Sequence, residues 1–201
     1  SATAIHTAEE YVNGLLLNIE PRKMWVFSDY TNNQKIPSPN KVGLCLAKYG
    51  DPGYGALVKR DKYSGNNRFC DELVGKSVQV LRPFIKEHGI AFITCVPSLR
   101  SEIVIDFSKR LADSLGITFV VLLNKNNTRQ QKEMQNSAHQ CGNAVKSYSL
   151  IEGVSVPEKI LLVDDVVDSR WTLTACGNCL SKGGCSEVYP FALADSSQKE
   201  E

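Results

Sequence analysis

The chain has 201 residues, of which 42% are hydrophobic and 22% charged, proportions that exclude a disordered or low-complexity chain and suit one α/β domain with a smaller appended element. Its 23 Lys and Arg nearly balance 22 Asp and Glu, which disfavours direct nucleic-acid binding or attraction to an anionic membrane; no apolar run approaches the roughly 20 residues of a membrane span. Seven cysteines, an odd number spread through predicted strands and helices, read as reduced thiols of a cytoplasmic protein rather than a disulfide framework.

Thr7-Ala8-Glu9-Glu10 is a capping box predicting a helix with Tyr11, Val12, Leu15 and Leu16 on one face. Between residues 20 and 70, Pro, Gly, Asn and aromatic residues break up short apolar runs; Thr31 to Lys41 reads as loop, and Gly50-Asp51-Pro52-Gly53-Tyr54-Gly55 as a turn that does not lead into a helix. Residues 1–70 are therefore expected to form an N-terminal helix and an irregular cap, or hood, over an α/β domain spanning 71–201.

Asp71 opens an amphipathic helix through Val74, Val78, Leu81 and Ile85, bent near Pro83 and ended by Gly89. Strand Ile90–Val96, the loop Pro97-Ser98-Leu99-Arg100, and a helix capped near Ser101 and stopped by Gly116 follow. A strand over Ile117–Leu123, a long polar stretch from Asn124 to Ala144, and a short strand over Tyr148–Ile151 come next. The last strand covers Val188–Ala194, and the tail from Ser196 is expected to fray. Strands alternating with helices imply a parallel twisted sheet with helices on both faces.

The densest chemistry lies in residues 159–172. Ile160 to Val163 form a strand buried on both faces, followed by Asp164, Asp165, two valines and the polar turn Asp168-Ser169-Arg170; Trp171 to Lys182 then read as a helix closed by Gly183-Gly184. Ligands of open α/β sheets bind beyond the carboxyl ends of strands. There, two carboxylates can hold a sugar diol or a hydrated Mg²⁺, and a helix N-terminus offers N–H groups to phosphate. The pattern points to a phosphorylated sugar. An acidic pair after four apolar residues also opens response-regulator receiver domains, but only 36 residues follow Asp165, too few for that fold. Cys176-x-x-Cys179 with Cys185, His139 and Cys141 lacks a second closely spaced ligand pair, and small buried hydrophobes are the better reading than a zinc site.

Residues 160–172 resemble the phosphoribosyl pyrophosphate (PRPP) motif of type I phosphoribosyltransferases, with Ser169 and Thr172 at its hydroxyl positions and Arg170 where the motif usually has Gly. The polar stretch is similar to that of ComF-like members. A wider resemblance, to the phosphoribosyltransferase-like domain fused to some RecQ-type DNA helicases, is carried by residues 20–25, 71–74, 94–100, 131–134 and 167–172. A start at Ser1 rather than Met agrees with excision from such a fusion.

The resemblance implies a domain that binds PRPP and Mg²⁺, transfers phosphoribose to a nitrogenous base, a purine among the candidates, and releases pyrophosphate. Asp164 and Asp165 would hold the ribose hydroxyls and Mg²⁺. Residues 168–172, Trp171 included, would cradle the 5′-phosphate, and the loop Pro97, Ser98, Leu99, Arg100 would grip pyrophosphate. Asp168 would accept the base's proton, its simpler reading being a helix N-cap; Trp171 reads as core in preference to a base-stacking platform. The alternative is a non-catalytic domain that senses PRPP or a nucleotide and regulates a helicase domain in cis. A second copy of the chain, as a homodimer, is a further candidate partner.

Overall fold

Ile160, Leu161, Leu162 and Val163 have no exposed surface in the computed structural model, which describes residues 16–26, 34–126 and 137–197. In chain order the described residues form β1 (Leu17–Ile19), β2 (Met24–Trp25), β3 (Gln34–Lys35), β4 (Gly43–Lys48) and α1 (Tyr54–Lys62). There follow α2 (Asp71–His88), β5 (Phe92–Cys95), α3 (Ile103–Leu115), β6 (Thr118–Phe119) and β7 (Leu123–Lys125). The chain continues with α4 (Ser137–Ser147), β8 (Tyr148–Leu150), β9 (Lys159–Val167), α5 (Trp171–Lys182) and β10 (Glu187–Asp195).

Six strands form the main sheet in the order β1-β4-β10-β9-β5-β6, all neighbours parallel except β1 with β4. Alternate side chains of β9 enter two cores. Leu161 and Val163 pack with Leu73 and Leu81 of α2 and Phe107 and Leu111 of α3. Ile160 and Leu162 pack with Leu173, Cys176 and Leu180 of α5 and Cys141 of α4. Two buried faces explain why this strand reads as an unbroken apolar run. The expected α/β class, a mostly parallel sheet with helices on both faces, is the one observed.

Several local expectations change. Residues 17–19 and 43–48, read as part of an irregular cap, are strands of the main sheet, Leu44 to Lys48 running parallel to Phe191 to Asp195. The turn at Gly50–Gly55 does lead into a helix, α1, which starts at Tyr54. The run Ile117–Leu123 is divided between β6 in the main sheet and β7, which pairs antiparallel with β8. Helix α2 continues through Pro83 and stops at Gly89, and α3 stops at Gly116; both glycines are left-handed, with φ of 68° and 73°. The N-cap of α3 is Glu102, with no side-chain cap, and Ser101 just before it accepts the Ile103 N–H at 3.2 Å. Ser196, expected to fray, donates its N–H to the Val167 carbonyl at 2.8 Å. The capping-box helix before Leu16, and residues 127–136 of the polar stretch, lie outside the described residues.

One buried polar bond anchors the start of α5. Asn40, before β4, donates its amide N–H to the Leu173 carbonyl at 2.8 Å, and Gly177, one turn further along α5, leaves room for it. A Cβ on Gly177 would collide with the Asn40 carboxamide. Helix propensity alone would make Gly177→Ala stabilising by about 1 kcal/mol. Displacing Asn40 and leaving the carbonyl buried outweighs that, so we expect a net loss of roughly 2 kcal/mol. The urea midpoint should fall at unchanged m; a raised midpoint would show that Asn40 moves aside freely.

Candidate functional site

β9 outruns its neighbour. The pairing of β5 with β9 ends at Cys95 opposite Val163, after which the Val96 N–H donates to the Val163 carbonyl at 2.8 Å. β10 stays paired with β9 as far as Val167. From Asp164 onward β9 therefore lacks a strand on one side, and a cavity of about 1010 Å³ opens there. This is the carboxyl-end crevice where open α/β sheets bind ligands. Ser98, Leu99 and Arg100 line one wall and Asp168 to Leu173 another; Lys125, Asn126 and the α4 residues Gln140, Asn143 and Ser147 complete it.

The two acids part company. They lie inside the extended strand rather than after it, and successive strand residues face opposite sides. Asp164 enters the cavity, while Asp165 is absent from its lining and pairs with Lys62 Nζ, at the end of α1, at 2.9 Å. The Asp165 side chain is only 13% exposed. Asp164 accepts the Asp165 N–H at 2.9 Å, and Asp165 accepts the Val166 N–H at 2.7 Å. Asp164 is partly accessible through the cavity, yet burial of its carboxyl, with the adjoining Asp165 charge, pushes its pKa up to about 8. Burial thus favours the protonated form of Asp164 relative to an ordinary carboxyl.

These positions bear on magnesium, expected on Asp164 and Asp165 jointly. Only Asp164 of the two faces the cavity, and the second carboxylate is already paired with Lys62. A Mg²⁺ shared by both acids does not fit this site. The cysteines are all free; burial pushes the Cys95 thiol up to about 12 and Cys176 well above its ordinary value, as suits small core residues.

The turn after β9 is the best-formed part of the site. Arg170 has φ 66° and ψ −1°, left-handed, and stands at the N-cap of α5. A non-glycine residue there costs about 1–2 kcal/mol, so Arg170, at the position where the resembling motif has Gly, carries backbone strain. No side chain caps the helix, which removes the reading of Asp168 as an N-cap; Asp168 is exposed at the cavity rim. The first N–H groups of a helix have no partner within it, and those of α5 belong to residues lining the cavity. Two bonds from Thr174, its N–H at 3.0 Å and its hydroxyl at 2.8 Å, hold the Arg170 carbonyl.

Trp171 is 1% exposed, as the core reading expects, yet it borders the cavity. Its Nε1 donates to Ser137 Oγ of α4 at 3.0 Å, and its ring stacks on Trp25, 6.2 Å between centroids at 17°. Arg100 is exposed at the tip of its loop, where its N–H donates to Ser98 Oγ at 3.2 Å. Lys125 Nζ lies 5.5 Å from the Tyr148 ring centroid. Both cations line the cavity, which makes it suited to anions.

Of the residues expected to form the site, Ser98, Leu99, Arg100, Asp164 and Asp168 to Thr172 share this cavity, whereas Pro97 and Asp165 are not in its lining. Sequence reasoning missed Lys125, Asn126, Gln140, Asn143, Ser147 and Tyr148. Gln140, Asn143, Ala144 and Ser147 recur at helical spacing on the face of α4 that lines the cavity, a signal that could have found α4. Nothing local marks Lys62 as the partner of Asp165.

No protein-family model matches the sequence, and no curated protein matches it. Among solved structures, adenine phosphoribosyltransferase from Saccharomyces cerevisiae is similar at 12% identity, over 94% of this chain and 89% of that one, with a TM-score of 0.45. A purine phosphoribosyltransferase from Pyrococcus horikoshii is similar at 16% identity, over 67% and 93%, with a TM-score of 0.42. Glutamine PRPP amidotransferase from B. subtilis shares 22% identity over 57% of this chain and only 25% of its own length, with a TM-score of 0.39. At these identities the likeness concerns the fold alone.

Proposed function

We propose that the cavity binds a phosphorylated ribose, PRPP in the first instance, and that the chain is a type I phosphoribosyltransferase-like domain acting on a nitrogenous base. The observation that carries this reading is the uncapped N-terminus of α5 behind the left-handed Arg170, in a cavity that also holds Arg100 and Lys125. Backbone N–H groups at a helix start are an anion site by charge and by geometry. In this reading the N–H groups of residues 170–172, with the Ser169 and Thr172 hydroxyls, take the 5′-phosphate. Asp164 hydrogen-bonds a ribose hydroxyl, and Arg100 meets the pyrophosphate oxygens. As the C1′–O bond to pyrophosphate breaks and the C1′–N bond forms, Asp168 accepts the proton from the attacking nitrogen. Asp165, held by Lys62, supports the strand end instead of touching the ligand.

A second reading is favoured by a specific feature. A cation-like ribose is stabilised by nearby negative charge, and of the two acids of β9 only Asp164 faces the cavity, its pKa raised by burial, while Asp165 is paired with Lys62. That charge balance favours a domain that binds the sugar phosphate without turnover, regulating a helicase domain in cis. Calorimetry with PRPP, followed by pyrophosphate release over a panel of bases, separates the two. Binding with release identifies a transferase, and binding without release identifies a sensor. If PRPP does not bind, both readings fail.

Two sets of variants test the assigned roles. Thr172→Val should weaken ribose 5-phosphate and PRPP alike, on the order of ten-fold. Arg100→Met should weaken PRPP by a similar factor while leaving ribose 5-phosphate unchanged, since only PRPP carries the second phosphate group; equal losses for both ligands would remove Arg100 from that role.

Asp164 makes a separate prediction for stability. Its folded pKa of about 8 lies above the ordinary 3.8, so its contribution is fully present below about pH 4 and lost as pH rises through about 8. The unfolding free energy of Asp164→Asn minus that of the parent should therefore grow in the variant's favour across this range. A flat difference would mean that Asp164 ionises normally.

A further inference from the structure

Residues 20–25, expected in the cap, reach the anion turn. The Arg22 Nε–H donates to the Ser169 carbonyl at 2.7 Å across 147 residues of sequence, and its guanidinium lies 4.1 Å from the Trp171 ring centroid. Trp25 stacks on the same ring. From the other direction, an Arg170 guanidinium N–H donates to the Glu20 carbonyl at 3.0 Å. Each residue of the turn 169–171 is thus held by this one segment.

The consequence follows from peptide geometry. The Ser169 carbonyl and the Arg170 N–H belong to one planar unit, and every peptide bond in the described chain is trans. In a trans unit the C=O and N–H point in opposite directions. Fixing the carbonyl on the Arg22 side therefore turns the Arg170 N–H away from Arg22. The cation also draws charge toward the carbonyl oxygen, making that N–H a stronger donor.

We propose that Arg22 is a positioning residue of the anion turn: it locks the Ser169–Arg170 peptide plane and aims the Arg170 N–H at the ligand phosphate. This rests on the phosphate site proposed above. The segment supplies in a left-handed Arg-Trp turn the rigidity that a turn needs if its backbone is to meet phosphate with no reorganisation. Arg22 does not touch the ligand. Its guanidinium is committed to a carbonyl and a ring, and its effect reaches the ligand only through the peptide between them.

The chain has two tryptophans, and they are the pair in contact, so the tryptophan band of the near-ultraviolet circular dichroism spectrum, at longer wavelength than those of tyrosine and phenylalanine, reports this contact. Ribose 5-phosphate and inorganic phosphate are titrated into the parent, Arg22→Met and Arg22→Lys, with far-ultraviolet dichroism and the urea midpoint monitoring the fold. Arg22→Met should lose on the order of ten-fold in affinity for both probes. Arg22→Lys, which retains a donor for the Ser169 carbonyl, should recover most of that loss although its tryptophan signal changes with the missing planar stack. Parent-like affinity in Arg22→Met overturns the proposal, as does an equal loss in Arg22→Lys. If Arg22→Met does not fold, the Arg170 amide in the ¹⁵N spectrum of the parent decides: a downfield shift on phosphate addition supports the aimed N–H, and no shift overturns it. Failure of the parent to bind either probe would instead remove the phosphate site itself, a different result from tight binding that ignores Arg22.

Discussion

β9 continues beyond the point where β5 stops pairing with it, and the arrangement of the cavity depends on that inequality. Up to Val163 the strand has neighbours on both edges and a helical layer on each face, so its residues are apolar and held tightly. After Val163 one edge is open, and polar side chains there are not forced into the core. The strong half sets the position of the weak half. The carbonyl and N–H groups that face the cavity are held by burying four side chains, each contributing about 1.5–3 kcal/mol, rather than by the few polar bonds around the cavity.

The same strand geometry decides what two adjacent acids can do. In a turn, Asp164 and Asp165 could converge on one cation or one diol. In an extended strand they diverge, and each meets a different environment: Asp164 the cavity, Asp165 the ammonium of Lys62. An internal cation at the second acid takes up a charge that would otherwise need an external one. The cavity that results combines Arg100, Lys125 and the α5 N-terminus with the carboxyls of Asp164, whose pKa burial raises, and Asp168. Cations and free helix N–H groups together suit such a cavity to anions.

The turn at residues 169–171 shows how a left-handed backbone can be adopted without glycine. A left-handed conformation at Arg170 carries strain, but the side chain is anchored on the Glu20 carbonyl and its neighbours are clamped by Arg22 and Trp25. The clamp also links α4 to the turn through the bond from Trp171 to Ser137. Three elements remote in sequence therefore meet at one indole, and the start of α5 is held from the opposite side by Asn40.

What the sequence determined by itself is what depends on local periodicity and on local backbone demands. The unbroken apolar run at 160–163, the amphipathic helices from Asp71 and after Ser101, and the stops at Gly89 and Gly116 were all legible because each is written in a few contiguous residues. So was the chemical character of residues 164–172. Tertiary structure decided the rest. β4 was hidden because a six-residue strand covered by β10 and β1 on its two edges needs no periodic signature of its own, and turn-forming residues flank it. The divergence of Asp164 and Asp165 depended on whether β9 ended before or after them, which is set by pairing with β10 rather than by the acids. Lys62, Arg22 and the α4 face entered the site through contacts between distant segments. No local rule encodes such contacts, because the energy that selects them comes from packing the whole sheet between its two helical layers.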